Sequence, residues 1–303
     1  MRTEQDRYVY SAIDERPALR LPGGARIAVW IATNHEFYEL DPPRRGSRAP
    51  WARPAPDVLA YSHRDFGNRV GVWRTIEMLD RLGMRASVSQ NVAALEHHPE
   101  IAQACVERGW EIFSHGIYNT RYLLDLDEPE ERAVIADVIE TVIRCTGQRP
   151  VGWLSPALTN TPRTLDLLAE HGFTYTCDLF HDDQPFPVRV RSGRLISLPY
   201  TLDLNDVVVL QSYLYSPDDY ARMIIDQFDV LHAEGERSAR VMCVALHPYL
   251  VGQAHRVRPL ERALEHIAGR DDVWIATGRE IADWYLREHY DEVAAAVGHR
   301  SGP

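Results

Sequence analysis

Apolar runs and polar stops alternate along most of this chain, and the predicted elements follow from that pattern. Arg26-Ile27-Ala28-Val29-Trp30-Ile31-Ala32 is almost purely apolar and ends in the polar cluster Thr33-Asn34-His35-Glu36. A run of that length without a polar face predicts a strand covered on both sides. From Asn68 to Leu82 the period becomes helical. Val72, Ile76 and Leu79 fall on one face, and Gly83 stands where a C-terminal cap belongs. Arg85-Ala86-Ser87-Val88-Ser89 is the next strand and ends at Gln90-Asn91. Pro99 opens a helix that stops at Gly109, and Glu111-Ile112-Phe113-Ser114 then delivers His115. Gly116 permits a sharp turn there, and Asn119 stands one helical turn beyond His115.

The second half repeats the pattern. Asp127 is placed to cap a helix whose first turn carries Glu128, Glu130 and Glu131. Its stripe of Val134, Ile135, Val138, Ile139, Val142 and Ile143 ends at Gly147. Gly152-Trp153-Leu154 reads as a strand, Thr161-Pro162 as the start of a helix to Gly172, and Thr174-Tyr175-Thr176-Cys177 as a strand leading to Asp178. Leu195–Leu198 and Val207–Leu210 read as a hairpin-like pair, and Ser216-Pro217 starts a helix to about Glu234. Val241–Leu246 is a fully apolar strand ending at His247. Pro259–Ala268 reads as helix, Val273–Ala276 as strand, and Arg279 to about Ala296 as the closing helix. Residues 1–25 form an irregular lead-in, and the proline-rich stretch from Pro42 to Pro56 reads as a functional loop or lid. The expected architecture is α/β: one catalytic domain over residues 1–303, a distorted (β/α) barrel of seven to eight mostly parallel strands.

In such a barrel the residues just past each strand converge on one mouth. Here they are Asn34, His35 and Glu36; Gln90 and Asn91; His115 and Asn119; Ser155; Asp178 with Asp182 and Asp183; and His247 with Tyr249. Strand ends are often polar for ordinary reasons, but two histidines and a glutamate at three different exits also suit hydrolysis of an amide-type bond. A carboxylate and an imidazole can hold a water or a divalent metal, and a second imidazole can protonate a leaving nitrogen. No G-x-G-x-x-G follows a strand, and no G-x-S-x-G elbow is present.

Composition narrows the choice. The net charge is −11, a poor match for nucleic acid or an anionic membrane. Every one of the 33 Lys+Arg residues is arginine, which removes Schiff-base and phosphate-loop lysine chemistry. Cys105, Cys145, Cys177 and Cys243 form no C-x-x-C pair and are expected to be buried free thiols. Without a signal-like or spanning segment, a cytoplasmic location is expected.

Five segments together resemble the polysaccharide deacetylase superfamily, the chitooligosaccharide deacetylase homology fold. They are Asn34-His35-Glu36, Asp65–Arg74, Ser114-His115-Gly116, Asp182-Asp183-Gln184-Pro185, and Leu246–Gln253 with Arg256. The likeness is greatest to the branch of metal-independent allantoinases and cyclic imide hydrolases. The resemblance implies a divalent metal, zinc by preference, on one acidic residue and two histidines. Carried onto this chain, Glu36 is the acidic ligand, His115 the first histidine, and Asn119 stands in place of the second. A neutral amide oxygen is a poor transition-metal ligand, so a metal-independent site is the alternative. His247 matches the late acid histidine, and His35 occupies the place of the family's catalytic aspartate beside the acidic ligand. Glu36, His247 and His35 are therefore the candidate catalytic groups, with Trp153, Tyr249, Asp182 and Asp183 as candidate substrate contacts. These departures imply hydrolysis of a small cyclic imide, amide or ureide. A carbohydrate N-deacetylase and a degenerate ligand-binding barrel are the alternatives. The expected partners are a small-molecule substrate and further copies of the chain, with no nucleic acid or membrane.

Overall fold

The computed structural model describes residues 5–42 and 55–299. Most of the proline-rich stretch read as a lid lies outside the described residues. Among the described residues nine strands form one sheet: β1 (Ile27–His35), β2 (Ala86–Gln90), β3 (Glu111–Ser114), β4 (Gly152–Trp153), β5 (Tyr175–Thr176), β6 (Phe186–Val188), β7 (Leu195–Ser197), β8 (Arg240–Leu246) and β9 (Val273–Ile275). Their order is β6-β7-β5-β4-β3-β2-β1-β8, with β9 also against β1. Every pairing is parallel except the β6–β7 hairpin. The result is the expected distorted, mostly parallel barrel.

β1 pairs with three other strands. Its whole inner length pairs with β8, from Ile27 opposite Arg240 to Thr33 opposite Leu246. On its other flank β9 takes Ile27 to Val29, and β2 takes Ile31 to His35. Alternate residues of a strand face opposite sides, and β1 divides accordingly. Ile27, Val29 and Ile31 pack on the helical layer with Ile76, Leu79 and Leu264. Ala28, Trp30 and Ala32 pack inside the barrel with Phe113, Tyr175, Tyr200 and Ile281. The barrel floor is closed by helix Gly278–Glu288, whose first N–H groups reach Ser87 and Glu111 at the starts of β2 and β3.

The helices Val58–Phe66 and Val92–His97 and the strand β6 were not expected, and further elements differ from expectation. Val207–Ser212 is a π-helical turn, not a strand, and among the described residues the isolated bridge Asn205–Ala245 lies beyond β8. The antiparallel hairpin lies earlier, at β6–β7. The helix expected from Pro259 begins at Ala254 and keeps Pro259 inside it. The closing helix is broken at His289 into Gly278–Glu288 and Tyr290–Ala296. Cys105, Cys177 and Cys243 are buried, Cys145 is only half-buried, and all four are free thiols. Among the described residues no helix is long and apolar enough to cross a membrane.

One packing contact fixes the mouth. Residues 58–81 form a nearly continuous helix interrupted by the π-helical stretch Gly67–Gly71. A Cβ on Gly71 would stand 2.0 Å from the Pro248 carbonyl oxygen, and one on Gly67 would stand 2.8 Å from Tyr249. Only glycine allows this helix to press against the turn after β8.

Candidate active site

Three strand exits build the site. Glu36 follows β1, His115 follows β3, and His247 follows β8. Glu36 continues the inward series of Ala28, Trp30 and Ala32, so its carboxylate enters the barrel mouth. Its Oε1 stands 3.3 Å from His247 Nε2 and 3.9 Å from His115 Nε2, with all three side chains buried. Asn68 donates to the Glu36 carbonyl at 3.2 Å, and Asn91 ties the exits together by donating to the His115 carbonyl while accepting from the Phe37 N–H.

The two imidazoles are held in different states. His115 Nδ1 faces the Leu154 carbonyl at 3.0 Å, so it carries the proton and Nε2 presents a lone pair to the mouth. Burial is the largest influence on this ring and lowers its pKa, even against the pull of Glu36. His247 Nδ1 is 2.6 Å from one oxygen of the fully buried Asp206, whose other oxygen accepts the His247 backbone N–H at 2.7 Å. Burial alone would lower this ring too, but Asp206 and Glu36 together overcome it and raise its pKa to about 9. His247 is thus an imidazolium at neutral pH. Burial pushes the Glu36 carboxyl up, yet His247, Arg64 and His115 more than offset this and keep it below its ordinary value. Asp206 itself is raised, because burial outweighs the imidazolium.

A second layer of groups faces Glu36. The Arg64 guanidinium lies 4.2 Å from the Tyr38 ring centre and 4.6 Å from that of Tyr249. Tyr38 Oη accepts from Asn119 Nδ2 at 2.7 Å and from Arg64 Nη2 at 3.4 Å. Tyr249 also packs edge-on to His247, with ring centres 5.6 Å apart.

The structure therefore brings together Glu36, His115, Asn119, His247 and Tyr249, and it leaves out four expected residues. His35 continues the outward series of β1, with neither ring nitrogen in hydrogen-bond geometry. Burial, only partly offset by Gln90, lowers its pKa to about 3. It is a neutral ring on the helical side and cannot act at the mouth. Trp153 is fully buried in the outer core against Phe173, its N–H bonded to Ser155 Oγ at 2.8 Å. Asp183 offers its carbonyl to Val241 at the start of β8, the opposite end from His247, and Asp182 pairs there with Arg16 at 2.6 Å. Three residues were missed. Arg64 and Tyr38 carry no spacing signal, and Asp206 immediately precedes Val207–Leu210, a run read as strand.

Glu36 Oε2 and Asn119 Oδ1 are buried without hydrogen-bond partners, and His115 Nε2 faces them, so acceptors do converge where a cation was expected. The donor set is compatible with a loosely held divalent ion but does not fit a resident metal. Its third donor is a carboxamide, and Glu36 already faces the His247 imidazolium and the Arg64 guanidinium. Among the described residues no group of three His, Cys, Asp or Glu side chains can hold a metal.

The family model for polysaccharide deacetylase matches residues 54–176, a stretch that includes His115 and Asn119 but neither Glu36 nor His247. The protein described as "probable Polysaccharide deacetylase" from Pseudomonas aeruginosa PAO1 is 31% identical in sequence. That comparison covers 90% of this chain and 95% of the other, with a TM-score of 0.81. The Puue allantoinase is 29% identical over 90% of this chain and 95% of its own, with a TM-score of 0.80. The peptidoglycan deacetylase of Helicobacter pylori is 25% identical over 74% of this chain and 86% of its own. Hydrolysis of a carbon–nitrogen bond is the reaction class these names share, and a carboxylate between a neutral and a protonated imidazole is equipped for it. With one relative alike over nearly the whole of both chains, this chain belongs to the polysaccharide deacetylase family.

Proposed function

We propose that the protein hydrolyses a non-peptide carbon–nitrogen bond in a small cyclic imide, amide or ureide. The observation that carries this reading is the Glu36 carboxylate between His115, neutral with its lone pair inward, and His247, kept in its protonated form by its two carboxylate neighbours. A water held by Glu36 and His115 Nε2 attacks the substrate carbonyl. Its proton passes to His115, and the imidazolium formed there is stabilised by Glu36 at 3.9 Å. His247 gives its Nε2 proton to the leaving nitrogen as the carbon–nitrogen bond breaks. Asp206 positions His247 and keeps it protonated until that moment. No step requires a metal. The likeness to the Puue allantoinase supports the small-ring substrate.

A second reading, N-deacetylation of a carbohydrate, is favoured by the likeness to the Helicobacter pylori peptidoglycan deacetylase. Assaying ring opening of succinimide, dihydrouracil and allantoin beside acetate release from an N-acetyl sugar separates the two. Ring opening is the expected result; acetate release alone would replace the first reading with the second.

A further inference from the structure

The mouth holds hydrogen-bonding capacity that the reaction steps above do not use, and its arrangement bears on the substrate. Asn119 is only 8% exposed. Its backbone N–H is fixed on the Phe37 carbonyl at 3.0 Å, and its Nδ2 donates to Tyr38 Oη at 2.7 Å. That leaves Oδ1 buried with no donor. A buried acceptor left empty is costly, so native proteins fill such atoms with protein, water or ligand. Glu36 is a carboxylate with its own unpartnered Oε2, and His115 Nε2 offers a proton to Asn119 only as an imidazolium, the form that burial disfavours.

Tyr38 supplies the opposite polarity beside it. Its oxygen already accepts from Asn119 and Arg64, so its own O–H hydrogen is available to a ligand. Arg64 Nε is likewise buried without an acceptor. An acceptor at Asn119 Oδ1 therefore stands next to donors at Tyr38 and Arg64.

We propose that Asn119 and Tyr38 together recognise the cis –NH–CO– edge of a ring substrate, Asn119 Oδ1 accepting the ring N–H and Tyr38, backed by Arg64, donating to the adjacent carbonyl oxygen. A small ring forces its amide cis, so that N–H and C=O project from the same edge. An open-chain acetamide holds them on opposite sides and pays about 2.5 kcal/mol to do otherwise. The Asn119–Tyr38 pair is thus matched to an imide, hydantoin or ureide ring and mismatched to an N-acetyl group. This inference deepens the hydrolase reading of the same site and rests on it.

The test compares succinimide with N-methylsuccinimide, which lacks the N–H, on wild-type protein and on Asn119→Leu and Asn119→Asp, with EDTA present throughout. The wild type is expected to favour succinimide in kcat/KM by about 10–100-fold, since a site built for a polar hydrogen rejects the analogue lacking it. Asn119→Leu collapses that ratio toward unity by losing succinimide turnover, while Asn119→Asp, which keeps an acceptor, retains the preference and guards against a leucine variant that fails to fold. Equal turnover of both compounds by the wild type, or an unchanged ratio in a folded Asn119→Leu, overturns the inference and leaves the hydrolase reading standing. Should neither compound be opened, the hydrolase reading of this ring class fails, and calorimetry on the wild type decides the inference separately. Tighter binding of succinimide than of its N-methyl analogue supports it, and equal or undetectable binding overturns it.

Discussion

At the scale of single residues, the proposed chemistry turns on the contrast between two buried histidines. His247 is protonated because Asp206 and Glu36 overcome the effect of burial. Activity should therefore fall as pH rises through about 9. Asp206→Asn removes one of the two carboxylates, so the alkaline limb of the kcat/KM profile should move to lower pH. An unmoved limb would detach His247 from the reaction. The same shift has a stability consequence. A ring whose folded pKa lies above the ordinary value of 6.5 stabilises the fold fully below that pH and loses the contribution as pH rises through about 9. Thermal melts of wild type and His247→Ala should accordingly differ less at pH 10 than at pH 6. The alanine variant should lower kcat by roughly 10²–10⁴ while remaining folded; wild-type turnover by a destabilised variant would instead make His247 a structural group. Exhaustive chelation is expected to leave turnover unchanged, and elemental analysis before and after shows whether anything was removed. That His247 and Glu36 stand at strand exits was legible in the sequence, because an apolar run precedes His247 directly and leads into the polar cluster that holds Glu36. His35 misled for a reason of parity. Sequence adjacency to Glu36 put it in the same cluster, but neighbours on a strand face opposite sides.

At the scale of elements, long apolar strands and capped helices could be read directly. Helix Pro217–Glu234 was bounded by its Ser216 cap, and Glu128–Thr146 by Asp127 and Gly147, because local capping chemistry sets such limits. The β-branched run Val207-Val208-Val209 was misread, since short apolar runs do not distinguish strand from helix by periodicity alone. That error concealed Asp206, which immediately precedes the π-helical turn. Nor did the sequence disclose that Gly67 and Gly71 are interfacial, because their meaning lies in Pro248 and Tyr249 far along the chain. Gly71→Ala would put a methyl group 2.0 Å from the Pro248 carbonyl oxygen. We expect it to cost about 1–3 kcal/mol of stability, as overpacking does, and to lower kcat by displacing His247. Urea unfolding and steady-state kinetics measure both; a variant normal in each would show that the helix does not set the position of this turn.

At the scale of the whole molecule, the barrel separates work from support. The mouth carries the ionisable cluster, while Glu111 at the floor is fully engaged by Ser87, Tyr175 and the Arg279 N–H. Trp153 belongs to the supporting layer. Its replacement by alanine should cost about 3–5 kcal/mol and leave KM nearly unchanged in the fraction that stays folded. A selective rise in KM measured on that fraction would return it to the substrate pocket. The fold class was legible because alternation of strands and helices admits few topologies. The sheet edge beyond β8 was not, since a pairing reduced to the Asn205–Ala245 bridge leaves little trace in hydropathy.

The position of β1 also has a consequence for how the molecule is made. Its flanks wait for β8 and β9, and the Asn34 side chain bonds to a carbonyl 212 residues away. As the chain leaves the ribosome, Glu36 emerges early, but the strand beneath it has neither its long neighbour nor the imidazolium that balances its charge. Contacts so distant in sequence close slowly and expose unpaired edges meanwhile. The nascent chain is therefore expected to pass most of its synthesis with β1 half-paired and the Glu36 carboxylate in water, and Glu36 and His247 to meet only after β8 has been made.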